Sequence, residues 1–271
     1  MTPKLLGLCL AIVGVWMILG VALTPLPGKA PIGYTNANAA LGIQLLALST
    51  LNLLRDRRQW WSWMAVGASL VAVLANASRA GTALAVALAF VGGLALLLPR
   101  ARRRWPAALT ALLMIAAMAV GVSVIARRVH WADAIDEAVN PVRRALWNTA
   151  WEAFRGAEAI GSGPGSFAAV NPRAGDPDTM SAHSALLQTA AELGLTGLCL
   201  LAVATLLALV AAGRIRPANA SWIVATAITL LVVHAGIDHI LEWWPVSLVC
   251  GLVLGHGLAA EAHTEAENET V

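Results

Sequence analysis

Long runs of apolar residues, divided by short polar or proline-containing breaks, set the pattern of this chain. The first run occupies 5–23, follows Lys4 and stops at Thr24-Pro25-Leu26-Pro27-Gly28. A second, over 37–54, starts among Asn36 and Asn38 and ends at Arg55-Asp56-Arg57-Arg58. Runs over 61–77 and 82–98 are parted only by Ser78-Arg79-Ala80-Gly81, and four more follow at 107–126, 186–212, 221–237 and 245–260. A membrane span takes about 20 apolar residues, so each run predicts one helix. The fold class expected is all-α, a polytopic integral membrane protein of about eight transmembrane helices. No small-residue cleavage site follows the first run, which therefore reads as a retained helix and not as a signal peptide.

One polar stretch interrupts this pattern, and it divides the chain. Residues 1–126 form a five-helix segment, 127–185 a large extracytoplasmic loop, 186–260 a three-helix segment, and 261–271 an acidic tail expected to be disordered. Within the loop, Asn140-Pro141 gives a cap followed by proline at the first helical position, which predicts a helix over 142–155. Trp147, Trp151 and Phe154 fall on one side of it and Arg144, Asn148 and Arg155 on a neighbouring side, the pattern of an amphipathic helix lying in the membrane interface.

Composition agrees with the membrane assignment: 59% of residues are hydrophobic and 12% charged, with a mean hydropathy of +0.73. The net charge of +3 gives no support to a nucleic-acid partner, because in a membrane protein the distribution of arginine among loops is what matters. With Lys4 inside, eight spans place Arg55, Arg57 and Arg58, then Arg100, Arg102, Arg103 and Arg104, then Arg214 and Arg216 on the cytoplasmic side, as the positive-inside rule asks. Lys29, Arg79, Arg127, Arg128, Arg143, Arg144, Arg155 and Arg173 are left outside. Cys9, Cys199 and Cys250 lie in apolar runs and read as small core residues, not as a disulfide or metal framework.

Several polar residues are candidates for chemistry. Arg79, in a tight turn between two spans, must either snorkel or pair with an anion. Gly161-Ser162-Gly163-Pro164-Gly165-Ser166-Phe167 forms a turn with many backbone donors, where glycine permits close approach of a ligand. Ser181 is placed to cap the next helix, which sets His183 in its first turn, where the helix dipole favours the neutral base. Ser184, Gln188 and Glu192 follow along one side of that helix, with Glu192 on the far side from His183 and two turns into a span. His234, Asp238, His239 and Glu242 gather beside Trp243 and Trp244. No dense metal-binding signature is present, and no metal is expected.

The succession NPVRRALWNTAWEAFRGAEAIGSGPGSF, followed by AHSALLQTAAELGLTGL, resembles the signature region of the O-antigen ligase and O-antigen polymerase superfamily. SRAG at 78–81 and NANAA at 36–40 are similar to further landmarks of that family in the same order. The resemblance implies an integral membrane glycosyltransferase of the bacterial cytoplasmic membrane, active on its outer face. It would move a glycan from undecaprenyl pyrophosphate to an acceptor hydroxyl on a glycan, lipid or protein, without nucleotide sugar, metal or other cofactor. By the same resemblance Arg79 and Arg143 hold the pyrophosphate and His183 activates the hydroxyl, while Arg144, Arg155, Gly163, Gly165, Asn38, Glu192 and Asp238 are expected to bind substrate. Ser184 stands where asparagine is common in the family and Glu158 where proline usually precedes the glycine turn. The chain has fewer helices before the NANAA segment than typical ligases, which leaves three readings: a truncated product, a compact member of the family, or a subunit whose lipid groove is completed by a membrane partner supplying the missing helices. A repeat-unit polymerase is the neighbouring reading, and a non-enzymatic transporter of lipid-linked oligosaccharide the reading from another class.

The topology is open to a direct measurement. A cysteine introduced as Ser166→Cys in a background without the three native cysteines is expected to react with a membrane-impermeant maleimide from the extracytoplasmic side. Labelling from the cytoplasmic side alone would reverse the assignment.

Overall fold

The computed structural model describes residues 2–24, 29, 31–98, 141–173, 175–176 and 179–269. Among these the chain is all-α, with no strand. Its helices are α1 (Pro3–Leu23), α2 (Thr35–Arg55), α3 (Trp60–Ala75), α4 (Arg79–Leu97), α5 (Pro141–Gly156), the short α6 (Phe167–Val170), α7 (Ala185–Arg214), α8 (Ala218–Ile237) and α9 (Trp244–Glu269), with a 3-10 turn at Ile240–Glu242. Five of them, α1, α2, α4, α7 and α8, are long and apolar enough to cross a membrane, while α3 and the Trp244–Ala259 part of α9 are shorter apolar helices. This is a polytopic membrane protein. The span expected over 107–126, the basic cluster before it, Arg127, Arg128 and the capping Asn140 lie outside the described residues.

The backbone of α9 is helical to Glu269. One expectation is corrected here. Cys9 and Cys199 are exposed and Cys250 is half-buried, so they are not core residues. In a membrane protein the outer surface of a helix is as apolar as the inner one, and an apolar run does not tell which side a cysteine takes.

The chain divides into two compact units, Met1–Ala111 with Ala208–His234 and Trp243–Val271, and Leu112–Leu207 with Ala235–Glu242. The first is built around α2, whose residues 37–53 are all buried, against α1, α3, α4 and α9. Polar side chains buried on α2 find partners, as an apolar interior demands. Asn52 donates to Pro3 O and Ser62 Oγ, both at 2.9 Å, and Gln44 donates to Ala227 O at 3.1 Å. Asn38 accepts from Ile32 N at 3.2 Å and donates to Lys29 O at 3.1 Å, pinning the chain that enters α2. Ser78 Oγ caps α4 by accepting from Gly81 N at 3.0 Å and donates to Asn36 Oδ1 at 2.7 Å. The NANAA and SRAG segments are therefore in contact.

The second unit has its own core. Leu146, Trp147 and Ala150 of α5 pack with Phe167, Ala182, Leu187 and Ala191. Burying each large member, such as Phe167 or Leu146, contributes about 1.5–3 kcal/mol. The apolar side of α5 thus packs against protein. Nearby, α7 is interrupted at Gly194, with φ 63° and ψ −156°, a combination open to little but glycine. The interruption frees backbone groups, and residues 158–163 satisfy them. Leu195 N donates to Glu158 O at 2.8 Å and Thr196 N to Ala159 O at 3.1 Å. In return, Ser162 N donates to Ala191 O at 3.0 Å and Gly163 N to Glu192 O at 2.9 Å.

A side chain at Gly194 meets both the disallowed backbone and a Cβ position 2.6 Å from Ala159 C and Gly161 N. Gly194→Ala is expected to lower stability by about 2–4 kcal/mol, read as a drop in melting temperature of the purified protein in detergent. Gly213→Ala, where a Cβ meets nothing within 4 Å, is the control and is expected to leave it unchanged or raised.

Candidate active site

Three elements of the second unit converge on one carboxylate. Asp238 directly follows α8 and its side chain is 1% exposed, so its charge must be met by protein. Arg143, in the first turn of α5, donates from Nη2 to Asp238 Oδ2 at 2.9 Å and from Nη1 to Ile237 O at 3.0 Å. It neutralises the carboxylate and caps the negative end of α8 in one contact. The other oxygen, Oδ1, accepts from His239 N at 2.8 Å and lies 2.9 Å from His239 Nδ1 and 3.5 Å from His183 Nδ1. The two imidazoles meet edge to face, 4.6 Å between centroids. Burial acts to raise the Asp238 carboxyl, but hydrogen bonds from His183 and His239, together with the charges of Arg143 and His239, outweigh it and hold the group well below the ordinary carboxylate range.

His183 does not stand in the first turn of α7, as the sequence suggested. It precedes the helix with φ 48°, a left-handed conformation that costs energy in any residue with a Cβ. Ser184, not Ser181, takes the capping place, its Oγ accepting from Leu187 N at 3.3 Å and donating to Gly236 O at 2.8 Å. Around it, Ala182 N donates to Gln188 Oε1 at 2.9 Å, Trp147 Nε1 donates to His183 O at 3.2 Å, and Ala185 N donates to Asp238 O at 3.0 Å. These contacts over-determine the histidine's backbone and keep its Nδ1 side toward Asp238.

The glycine turn also differs from expectation. Its donors, read as available to a ligand, are engaged within the protein: Gly165 N donates to Glu192 Oε2 at 2.9 Å and Phe167 N to Glu192 Oε1 at 3.3 Å. Gly163 N is taken by Glu192 O, as described above. Glu192 thus holds the turn. Glu242, on the exposed edge of the unit, has a partly enclosed carboxyl that burial raises; His239 and His183 oppose this, and Glu192 and Asp238 add to it.

Of the residues singled out by sequence, Arg143, His183 and Asp238 come together directly, and Gly163, Gly165 and Glu192 form the adjoining clamp. Arg144 is half-buried on α5 and Arg155 is exposed in its last turn. Asn38 and Arg79 belong to the first unit; there Asn38 holds the loop before α2, and Arg79 is exposed as the first residue of α4. His239 and Gln188 stand among the polar candidates of the sequence without an assigned role, and Trp147 only as part of the apolar side of α5. His239 had a signal in its place next to Asp238; the other two had only helical spacing, which is shared by every core residue. Among the described residues, His183, Asp238 and His239 bring metal-type ligand atoms within 4.8 Å of one another. Arg143 already supplies the positive charge on that carboxylate, so the group reads as an ion-pair cluster.

A family model described as O-antigen ligase matches residues 64–202, just over half of the chain. The chain belongs to the O-antigen ligase family. Members are glycosyltransferase-like enzymes, and the matched stretch carries Arg79, Arg143, His183, Gln188 and Glu192 but ends before Asp238. No curated protein and no solved structure matches the chain.

In this O-antigen ligase family member, Asp238, which lies beyond the matched stretch, pairs with Arg143 inside it, and the pair is open to a test. Asp238→Asn leaves Arg143 without its counter-charge and is expected to lose about 3 kcal/mol of stability at pH 7. Because the folded carboxyl is held low, the contribution it makes is complete above the unfolded value of about 4 and fades as pH falls through the folded one. The gap between wild type and variant is therefore expected to persist from pH 8 down to 5 and to close only in stronger acid. Detergent-solubilised unfolding at several pH values measures it.

Proposed function

We propose that this protein is a glycosyltransferase of the O-antigen ligase type, moving a glycan from an undecaprenyl-pyrophosphate carrier to an acceptor hydroxyl at the outer face of the bacterial cytoplasmic membrane. The observation that carries the reading is the meeting of Arg143, His183 and Asp238 in one cluster. His183 turns Nδ1 to Asp238, which presents Nε2 to the acceptor. As the hydroxyl oxygen attacks the anomeric carbon, its proton passes to Nε2 and the bond from that carbon to the pyrophosphate oxygen breaks. Asp238 stabilises the imidazolium so formed, and such base catalysis contributes about 10²–10⁴-fold. Direct displacement inverts the anomeric configuration.

Arginine suits the leaving group, because it stays charged and its planar fork matches phosphate oxygens. Arg143 keeps 28% of its side chain exposed while bound to Asp238. Arg79 stands at the positive end of α4, where a cation is unfavourable unless an anion offsets it; a pyrophosphate is such an anion. Asn36, through Ser78, fixes the turn from which Arg79 projects.

The experiment is transfer by purified protein from lipid-linked donor to acceptor, without nucleotide and with chelator present. His183→Ala is expected to reduce transfer by two orders of magnitude or more while leaving donor binding intact, and His183→Gln is expected to be as poor. Arg143→Lys is expected to reduce turnover about tenfold or more. Near-normal transfer by His183→Gln would remove the base, and a requirement for added metal would remove the metal-free mechanism. Donor binding with no transfer in wild type would favour the transporter, and chain extension in place of single transfer the polymerase.

A further inference from the structure

The backbone of His183 is strained, and the contact on its N-terminal side comes from Gln188. Its carboxamide is bonded at both ends. Oε1 accepts from Ala182 N at 2.9 Å, and Nε2 donates to Glu192 Oε1 at 3.3 Å. The orientation is fixed by the partners, since a backbone N–H requires the oxygen and a carboxylate requires the NH₂. Glu192 is in turn bonded to Gly165 N and Phe167 N. An unbroken hydrogen-bonded line therefore runs from the glycine turn through Glu192 and Gln188 to the residue before His183.

We propose that Gln188 is a positioning residue which couples the glycine turn to the conformation of His183, so that the two hold or loosen together. Only a side chain with an acceptor at one end and a donor at the other, at this length, completes the line. Leucine supplies neither. Glutamate can accept from Ala182 N but places a second carboxylate against Glu192, and like charges sharing a site repel. Exchanging the two residues restores the link between 188 and 192 with its polarity reversed: the carboxylate at 188 accepts from Ala182 N, the carboxamide at 192 donates to it, and the remaining oxygen at 192 accepts from Gly165 N, while Phe167 N, which shares Glu192 Oε1 with Gln188, gives up its bond. The inference rests on reading His183 as the base, but the coupling itself is measurable without transfer.

Hydrogen–deuterium exchange on the full-length protein in nanodiscs, followed by mass spectrometry, reads both ends. Gln188→Leu is expected to speed exchange about tenfold or more in peptides covering 162–168 and 181–184 together, with α2 unchanged; Gln188→Met, also lacking the hydrogen bonds, is the second variant should leucine fail to insert. Gln188→Glu is expected to loosen the turn likewise, and Gln188→Glu combined with Glu192→Gln to bring both peptides back toward wild-type rates. In transfer assays kcat is expected to fall about tenfold in Gln188→Leu and to recover in the exchanged pair, while KM for the lipid-linked donor changes little. Unchanged exchange at 181–184 in Gln188→Leu and Gln188→Met, or an exchanged pair no better than Gln188→Glu alone, overturns the coupling. Restored exchange in a protein that carries out no transfer upholds the coupling and overturns the enzyme reading instead.

Discussion

A carboxylate with no access to water governs the second unit. Asp238 cannot keep its charge there without donors, and the donors have to be delivered by separate segments: Arg143 from α5, His183 from the loop before α7, His239 from its own turn. Each delivery fixes an element. Arg143 sets the start of α5 against the end of α8, and Ala185 N on the Asp238 carbonyl sets the start of α7 against the same point. The apolar core of Leu146, Trp147 and Phe167 then fills in behind the polar contacts. Hydrophobic burial provides much of the stability here, but it is non-directional; direction comes from the charge.

The membrane unit solves a different problem with smaller forces. Lipid offers no gain for burying one apolar surface over another, so packing depends on close approach and on polar contacts between helices. Gly42 lets α3 approach α2 at Val73, Gly14 lets α3 approach α1 at Ala68, and Asn52 and Gln44 hydrogen-bond to other segments from the same α2. That is why α2 carries more polar residues than α1, α3 or α4 while being the most completely buried of the candidate spans.

Hydropathy made the helices legible, because a span must be apolar for about 20 residues whatever surrounds it. The same requirement hid which side of a helix faces inward, and so Cys9 and Cys199 were misplaced. Helix α5 was legible from Asn140-Pro141, yet its tryptophans read equally well as anchors in lipid and as core, and the structure puts Trp147 in the core with its indole N–H on His183 O. His183 was visible as a residue but not as a conformation: an αL histidine leaves no mark in composition or period. Glu192 was legible as an expensive charge within a span, and its partners, backbone N–H groups of a turn 25 and 27 residues upstream, were not, since no side-chain pattern records them.

The interruption of α7 also bears on how the protein is made. Residues 158–163, which satisfy the freed groups at 191–196, leave the ribosome first, and chains are built and begin to fold from the amino end. When the first turns of α7 emerge, the segment that completes them already exists, so the broken helix need not wait in lipid with bare peptide groups. A rearranged gene that placed 158–163 after α7 would reverse that order and leave those groups exposed to hydrocarbon during insertion.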